Sequence, residues 1–230
     1  MSYYGYILLF SFLGPLGLSF DKKVAFYTKI PRLILPLIVV SGGFLLWDQW
    51  FTERGVWGFN EAYILGIHVG LLPLEEVLFF LVVPYNCIFI YEVVGAYFKP
   101  RNNSLLNTVF ILSFMAFGLI LLFKNPTGWY PLTAVVLALI TATALILRPP
   151  FWLSQFVIAF FICLIPFLVV NGLLTGAATS TPVVWYNEQA FSGWRILTIP
   201  VEDLYYNFDL FLGFILFYLL PKNRLLLRKQ

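Results

Sequence analysis

Seven apolar stretches of membrane-spanning length constrain this chain more than any other feature of its sequence. Charged residues make up only 11% of the chain, against roughly 25% in a soluble domain, so they cannot cover a water-soluble surface. A bilayer core about 30 Å thick requires helices of about 20 apolar residues. We therefore predict an all-α, polytopic membrane protein with about seven transmembrane helices in one membrane domain, 1–230. The predicted spans are 3–20, 32–51, 73–98, 104–123, 129–147, 150–172 and 200–220.

The distribution of basic residues predicts the orientation of these spans. If the N-terminus is outside, 11 of the 14 Lys and Arg residues lie in the inner loops or the C-terminal segment. The positive-inside rule then predicts a multi-pass protein of the cell membrane with a cytoplasmic C-terminus. The inner basic residues are Lys22, Lys23, Lys29, Arg32, Lys99, Arg101, Arg148, Lys222, Arg224, Arg228 and Lys229.

The composition also argues against several classes of function. One histidine and two cysteines, Cys87 and Cys163 in apolar segments, favour neither a metal site nor a disulfide framework. The net charge of +3 is small, and no basic cluster indicates nucleic-acid binding. All lysines lie at span ends or in loops, which argues against a retinal Schiff base, and no G-x-G-x-x-G follows a strand. We therefore expect no metal, no cofactor and no nucleic-acid partner.

The chain contains an internal repeat. Segment 60–76, NEAYILGIHVGLLPLEE, aligns without a gap with segment 187–203, NEQAFSGWRILTIPVED, at an offset of 127 residues. We predict a first three-helix repeat over 1–98, a connector helix over 99–128 and a second three-helix repeat over 129–230. A single connecting helix restores the direction of the chain, so both repeats cross the membrane in the same sense, about an axis along the membrane normal.

Each copy of the repeat ends in a proline followed, two residues on, by an acidic pair. The pairs are Glu75–Glu76 and Glu202–Asp203, and proline suits the first turn of a helix. A parallel repeat puts both pairs at one depth, on the outer side. Carboxyl groups within membrane segments are costly and usually face the bundle interior. Burial favours the protonated form that a general acid needs, so these four residues are the predicted catalytic groups; the alternative is acids at helix N-termini, level with the lipid headgroups.

Other residues near the acidic pairs complete the predicted site. Aromatic residues within two turns of the acids could contact a substrate, or could simply pack against lipid; they are Phe79, Phe80, Tyr205, Tyr206 and Phe208. Polar residues predicted to support the site are Asp48, Asn171, Asn60, Glu61, Asn187, Glu188 and Asp209. Of these, Asp209 lies in the middle of a span, where a carboxylate is a functional candidate, whereas the others are equally explained as span-end or loop residues.

The PLEE at 73–76 and the PVED at 200–203 resemble the paired P-x-E-(E/D) signature of membrane-integral lycopene (carotenoid) β-cyclases. Those enzymes occur as two three-span subunits or as fused seven-span chains, and this chain is similar to the fused form. Tyr206-Asn207 stands where the first half has the Phe79-Phe80 pair, which indicates that the two halves are not equivalent.

The resemblance implies an isomerase, or intramolecular lyase, of carotenoid biosynthesis. Such an enzyme converts the linear ψ ends of lycopene into β-ionone rings by acid/base chemistry without redox change, giving γ-carotene and β-carotene. The implied partners are a lipophilic carotenoid and membrane lipid, and they could include other carotenoid enzymes.

Two other functions remain open from the sequence. A carotenoid end-group hydratase of related fold would form the same cation and capture it with water. A non-enzymatic seven-helix transporter or proton channel would also use acids within the membrane. Here, however, the acids concentrate near one surface, and the predicted fourth and fifth spans are almost free of ionisable groups.

Overall fold

The computed structural model describes the backbone of residues 1–227 and the side chains of residues 1–220. Within that part of the chain, seven helices follow one another. Their bounds are α1 Tyr3–Leu18, α2 Phe26–Glu53, α3 Leu74–Tyr97, α4 Ser104–Lys124, α5 Pro131–Leu147, α6 Leu153–Leu174 and α7 Glu202–Leu227. Among the basic residues predicted to be cytoplasmic, Arg228 and Lys229 lie outside the described residues, and so do the side chains of Lys222 and Arg224.

These helices confirm the predicted fold class, an all-α polytopic membrane protein. Five of them are long and apolar enough to cross a membrane, and the two shorter ones are α1 and α5. The 16 residues of α1 extend roughly 24 Å, which is shorter than a bilayer core of about 30 Å. The predicted second span begins at residue 32, whereas α2 begins at Phe26. The helix is longer because Phe26–Leu33 forms a 3₁₀ helix despite its charged residues.

The irregular first half of α2 positions the end of the helix that carries Asp48. Pro36 lacks a backbone N–H, and a wide π-helical turn, Leu37–Ser41, follows it before the regular segment Gly42–Glu53. Within the wide turn, Ser41 Oγ donates a 2.7 Å hydrogen bond to the Phe80 carbonyl of α3. This bond fixes α2 against α3 and directs the C-terminal end of α2 toward the start of α3.

A short sheet joins the two halves of the chain. Strand β1, Trp57–Phe59, follows α2 and pairs antiparallel with β4, Val184–Tyr186, which follows α6. Gly58 opposes Trp185 at the centre of the pair, where a Cβ atom would lie 2.3 Å from the indole ring. Two hairpins then fold the chain back onto the starts of α3 and α7: β2–β3, His68–Val69 with Leu72–Pro73, and β5–β6, Arg195–Ile196 with Ile199–Pro200.

The hydrogen bonds around the β1–β4 pair recur at the offset of 127 residues. Asn60 N–H donates to the Val183 carbonyl at 2.8 Å, and Asn187 N–H donates to the Val56 carbonyl at 2.9 Å. The hairpins β2–β3 and β5–β6 occupy corresponding positions at the same offset. An approximate two-fold axis through Gly58 and its partner strand therefore relates these segments.

Candidate active site

A cavity of about 720 Å³ lies between α1, α3, α6 and α7, and the β1–β4 pair contributes to its wall. This volume is typical of small-molecule binding sites. Most of the wall is aliphatic or aromatic, including Ile7, Phe79 and Leu210. The ionisable carboxyl groups in the wall are confined to one region, where helices end and begin.

Three carboxyl groups share this region of the wall. Asp48 comes from the C-terminal half of α2, Glu76 from the first turn of α3 and Asp203 from the first turn of α7. They are 2%, 8% and 4% exposed. Because an uncompensated buried charge is very costly, each group must be protonated or held by hydrogen-bond donors.

Four phenol groups supply those donors. The Tyr4 hydroxyl donates to Glu76 Oε2 at 2.7 Å, and the Tyr206 hydroxyl donates to Asp48 Oδ1. Asp203 accepts from three side chains: Tyr130 at 2.6 Å to Oδ1, and Tyr186 at 3.0 Å and Asn171 Nδ2 at 3.3 Å to Oδ2. A carboxyl group that accepts three hydrogen bonds is stabilised in its charged form.

Asp48 and Glu76 are arranged differently from Asp203, because they lie within hydrogen-bonding reach of each other. Two ionised carboxylates cannot donate to one another, so a hydrogen bond between them requires a proton on one of the two. The phenols of Tyr4 and Tyr206 each donate to one member. The Asp48–Glu76 pair can therefore store a proton in the wall of an apolar cavity.

Tyr186 lies outside the helices, on β4, yet it belongs to the same cluster. Burial, followed by the nearby Asp203 carboxyl group, raises the pKa of Tyr186 well above its ordinary value. The phenol therefore stays protonated, and its O–H remains available as a donor to Asp203.

The other member of each acidic pair, Glu75 or Glu202, accepts a hydrogen bond from the adjoining loop. Glu75 Oε1 accepts the Leu65 N–H at 2.7 Å, and Glu202 Oε1 accepts the Ser192 N–H at 2.6 Å. Ser2 Oγ also donates to Glu75 Oε1. Both carboxyl groups are fully buried and neither lines the cavity. The two loop bonds are equivalent at the offset of 127 residues. The structure thus places two of the four predicted catalytic acids in the cavity wall and two against the loops.

The five predicted substrate-binding aromatics are also divided. Phe79 and Tyr206 line the cavity. Phe80 is fully buried and contacts Phe79 edge-on. Tyr205 donates to the Phe114 carbonyl at 2.8 Å and stacks on that ring, and Phe208 packs against the same ring. Phe80, Tyr205 and Phe208 therefore pack behind the cavity wall and do not form part of it.

The predicted supporting residues take several positions. Asp48 and Asn171 belong to the cavity wall, but the loop residues do not. The side-chain carbonyl of Asn60 accepts the Ala62 N–H, and that of Asn187 accepts the Gln189 N–H, so both stabilise turns.

The predicted acids of the loops and of the last span also lie outside the cavity wall. Glu61 lies 3.4 Å from His68, and Glu188 forms a 2.7 Å ion pair with Arg195, with both carboxylates largely exposed. Asp209 is buried within α7, and neither of its oxygens has a hydrogen-bond partner among the described residues.

Sequence reasoning missed Tyr4, Tyr130 and Tyr186. A signal for the first two exists, because Tyr4 and Tyr130 occupy corresponding positions of α1 and the start of α5 at an offset of 126 residues. They donate to Glu76 and Asp203, which are themselves equivalent. Extending the repeat upstream with a one-residue gap would have paired the tyrosines. Tyr186 has no such signal, since the corresponding residue of β1 is Phe59.

The fold and this site define a helical membrane protein with a buried carboxyl–phenol cluster at one end of an apolar cavity. A family model described as lycopene cyclase matches residues 1–94 and residues 127–220, which together cover most of the chain. The chain therefore belongs to the lycopene cyclase family. No curated protein and no solved structure matches it. In the part of the chain that the structure describes, no group of three or more His, Cys, Asp or Glu side chains could hold a metal ion.

Proposed function

We propose that this protein is a lycopene β-cyclase, an isomerase that closes β-ionone rings at the linear ends of lycopene, with γ-carotene and β-carotene as products. The observation that carries the proposal is the cluster of three carboxyl groups and four phenols in the wall of an otherwise apolar cavity. The family membership supplies the carotenoid substrate class and the membrane setting. The contacts of the cluster suggest how the acid and base roles are shared.

The Asp48–Glu76 pair is the proposed acid. The proton held between the two carboxyl groups adds to the terminal double bond of the substrate, leaving a tertiary cation at the neighbouring carbon. The bond that breaks is carboxyl O–H, and the new bond is C–H, so the pair is left with one more negative charge. The phenols of Tyr4 and Tyr206 donate to that charge as it develops.

Asp203 is the proposed base. An internal double bond attacks the cation and closes the six-membered ring, which moves the positive charge onto the ring. Loss of a ring proton to Asp203 then forms the ring double bond, so the product has the same composition as the substrate. Tyr130, Tyr186 and Asn171 donate to Asp203, and these hydrogen bonds favour the charged form that this step requires.

The mostly apolar and aromatic wall of the cavity protects the cation from water. The cavity wall that contains the carboxyl groups also contains the aromatic rings of Trp57, Phe79 and Tyr206. Aromatic rings attract cations through their faces. Water that reached the cation would give a hydrated product in place of a ring. The apolar wall therefore favours cyclisation over the alternative hydratase activity.

We also propose that the chain consists of two three-helix units, 1–98 and 129–230, joined by a connector over 99–128. The two family matches are separate segments of the same length, and the loop bonds to Glu75 and Glu202 recur at one offset. The predicted orientation, with the N-terminus outside, remains part of this proposal and rests on the inner position of most basic residues.

The proposal is tested by expressing the protein in cells that accumulate lycopene and analysing the pigments by chromatography with mass detection. Products of unchanged mass with one or two β-rings support cyclisation. A gain of one water supports the hydratase, and unconverted lycopene in cells whose membranes contain the protein refutes both. Ion or solute flux through liposomes that contain the protein, without any pigment conversion, would instead favour the transporter or channel.

The acid and base assignments need variants at equal protein level. Glu76→Gln and Asp203→Asn should each lower conversion at least about 100-fold, which is the lower end of what general acid–base catalysis contributes. Glu188→Gln is the matched control, because this glutamate is exposed on a loop and outside the cavity. Normal conversion by Glu76→Gln would show that this group does not deliver the proton.

A further inference from the structure

The cavity opens at the exposed surface of the helical bundle. Among the described residues that line it, four are exposed: Tyr6, Phe10, Pro166 and Val169. The exposed fractions are 48% for Tyr6, 69% for Phe10 and 59% for Val169. Two of the four lie on α1 and two on α6, so the exposed part of the wall is the gap between these two helices. We name this opening, defined by these four residues, the lateral portal.

The lateral portal lies midway along the two helices that form it. Phe10 is near the middle of α1, and Pro166 is well inside α6, away from the helix ends. Pro15 and Pro166 also line the cavity, and a proline inside a helix removes a backbone hydrogen bond and bends the helix. The side chains at the opening are aliphatic or aromatic, and Tyr6 and Phe10 stack with ring centroids 6.4 Å apart.

We propose that the lateral portal binds the polyene chain of the substrate and admits it from the bilayer. This inference rests on the proposed function for the substrate class, a long linear polyene with reactive end groups. One end group reaches the carboxyl–phenol cluster, while the remainder of the chain passes between α1 and α6 and stays among lipid tails. The apolar lining of the opening suits such a chain, which loses no hydrogen bonds on leaving the lipid.

This arrangement also determines the order of ring formation. Because a substrate with two distant ends can place only one of them at the cluster, each binding event closes one ring. The one-ring product must withdraw through the portal and return with its other end first. One-ring γ-carotene should therefore appear free in the membrane before two-ring β-carotene accumulates.

The portal is tested with a pair of tryptophan variants on one helix. Val169→Trp adds bulk at the opening, whereas Ile165→Trp is the matched control: Ile165 lies one turn away, is 68% exposed and does not line the cavity. The purified proteins are placed in lipid nanodiscs with graded mole fractions of lycopene. For Val169→Trp we expect the half-saturating lycopene fraction to rise at least about fivefold, while the maximal rate stays within about twofold of that of the unsubstituted protein. This combination indicates impaired substrate access without impaired chemistry. Ile165→Trp should leave both values unchanged.

Retention of lycopene separates this inference from the proposed function. Absorbance of polyene that co-purifies with the protein needs no turnover, so it is also measured in a Glu76→Gln background. Lower retention by Val169→Trp than by Ile165→Trp supports the portal even if no ring forms, and in that case only the proposed function fails. Equal retention and equal half-saturating fractions for the two variants would overturn the portal, and so would the absence of any lycopene retained by the unsubstituted protein.

Discussion

The phenol of Tyr130 provides the sharpest test of the proposed chemistry. Tyr130 is 1% exposed, and its hydroxyl donates to Asp203 Oδ1 at 2.6 Å. Tyr130→Phe removes this donor and keeps the ring, which packs edge-on against Phe51 and Trp57. The substitution therefore changes the hydrogen bonding of Asp203 while preserving the shape of the wall.

The size of the effect follows from the charge on the acceptor. A hydrogen bond to a charged group contributes about 1.5–3 kcal/mol, and about 1.4 kcal/mol corresponds to a tenfold change in rate. If Asp203 must be charged to accept the ring proton, losing the Tyr130 bond makes that form less populated by this free energy. We expect conversion per folded molecule to fall by a factor of about 10 to 150. Tyr186→Phe should have a smaller effect, since its bond to Asp203 is longer, at 3.0 Å.

Tyr218 offers a control with the same chemistry at another place. Its buried hydroxyl donates to Glu92 Oε1 at 2.8 Å, and Glu92 also pairs with Lys29. Neither Tyr218 nor Glu92 lines the cavity. Tyr218→Phe should therefore lower the melting temperature about as much as Tyr130→Phe does, without lowering conversion per folded molecule.

The assay combines thermal unfolding in detergent with initial rates of lycopene conversion, both normalised to folded protein. A loss of conversion confined to Tyr130→Phe supports the proposed role of Asp203. Equal conversion by Tyr130→Phe and Tyr218→Phe would refute it, because it would mean that the phenol–carboxyl bond in the cavity contributes only to stability.

Two further predictions concern the structure around the cavity. Gly58→Ala introduces a Cβ 2.3 Å from the Trp185 ring, and it should destabilise the protein by about 1–3 kcal/mol in thermal unfolding. Adding Trp185→Leu should restore stability. An unaltered melting temperature for Gly58→Ala alone would contradict this close packing of Gly58 against Trp185. Glu202→Ala should expose the loop at Ser192 to faster limited proteolysis, because the Ser192 N–H loses its acceptor. Glu202→Gln keeps that acceptor and should retain both protection and conversion, whereas loss of conversion with a protected loop would show that Glu202 acts in catalysis.

The spans could be predicted from the sequence because hydropathy is a local property, and each helix needs many consecutive apolar residues. The start of α2 could not, since residues Phe26–Leu33 carry charges and form a 3₁₀ helix, which apolar run length does not reveal. Adjacent helical residues point about 100° apart, which predicts that only one member of each acidic pair faces the centre. Which member does so depends on the loop N–H groups of Leu65 and Ser192, and the sequence alone does not locate them.

The two halves are related by an approximate two-fold axis, whereas the proposed acid and base have different surroundings. Duplication yields two equivalent carboxyl–phenol contacts, Tyr4 with Glu76 and Tyr130 with Asp203, but an acid and a base require opposite protonation states. The differences lie in the neighbours. Beside Glu76, the preceding helix contributes the carboxyl group of Asp48, which can share a proton with it. Beside Asp203, the preceding helix contributes the amide of Asn171, whose Nδ2 donates to Asp203 Oδ2 and which has no ionisable proton to share. In the proposed reaction, this change of residue type and the additional donor Tyr186, which has no counterpart beside Glu76, give the two copies of the element the opposite roles of acid and base.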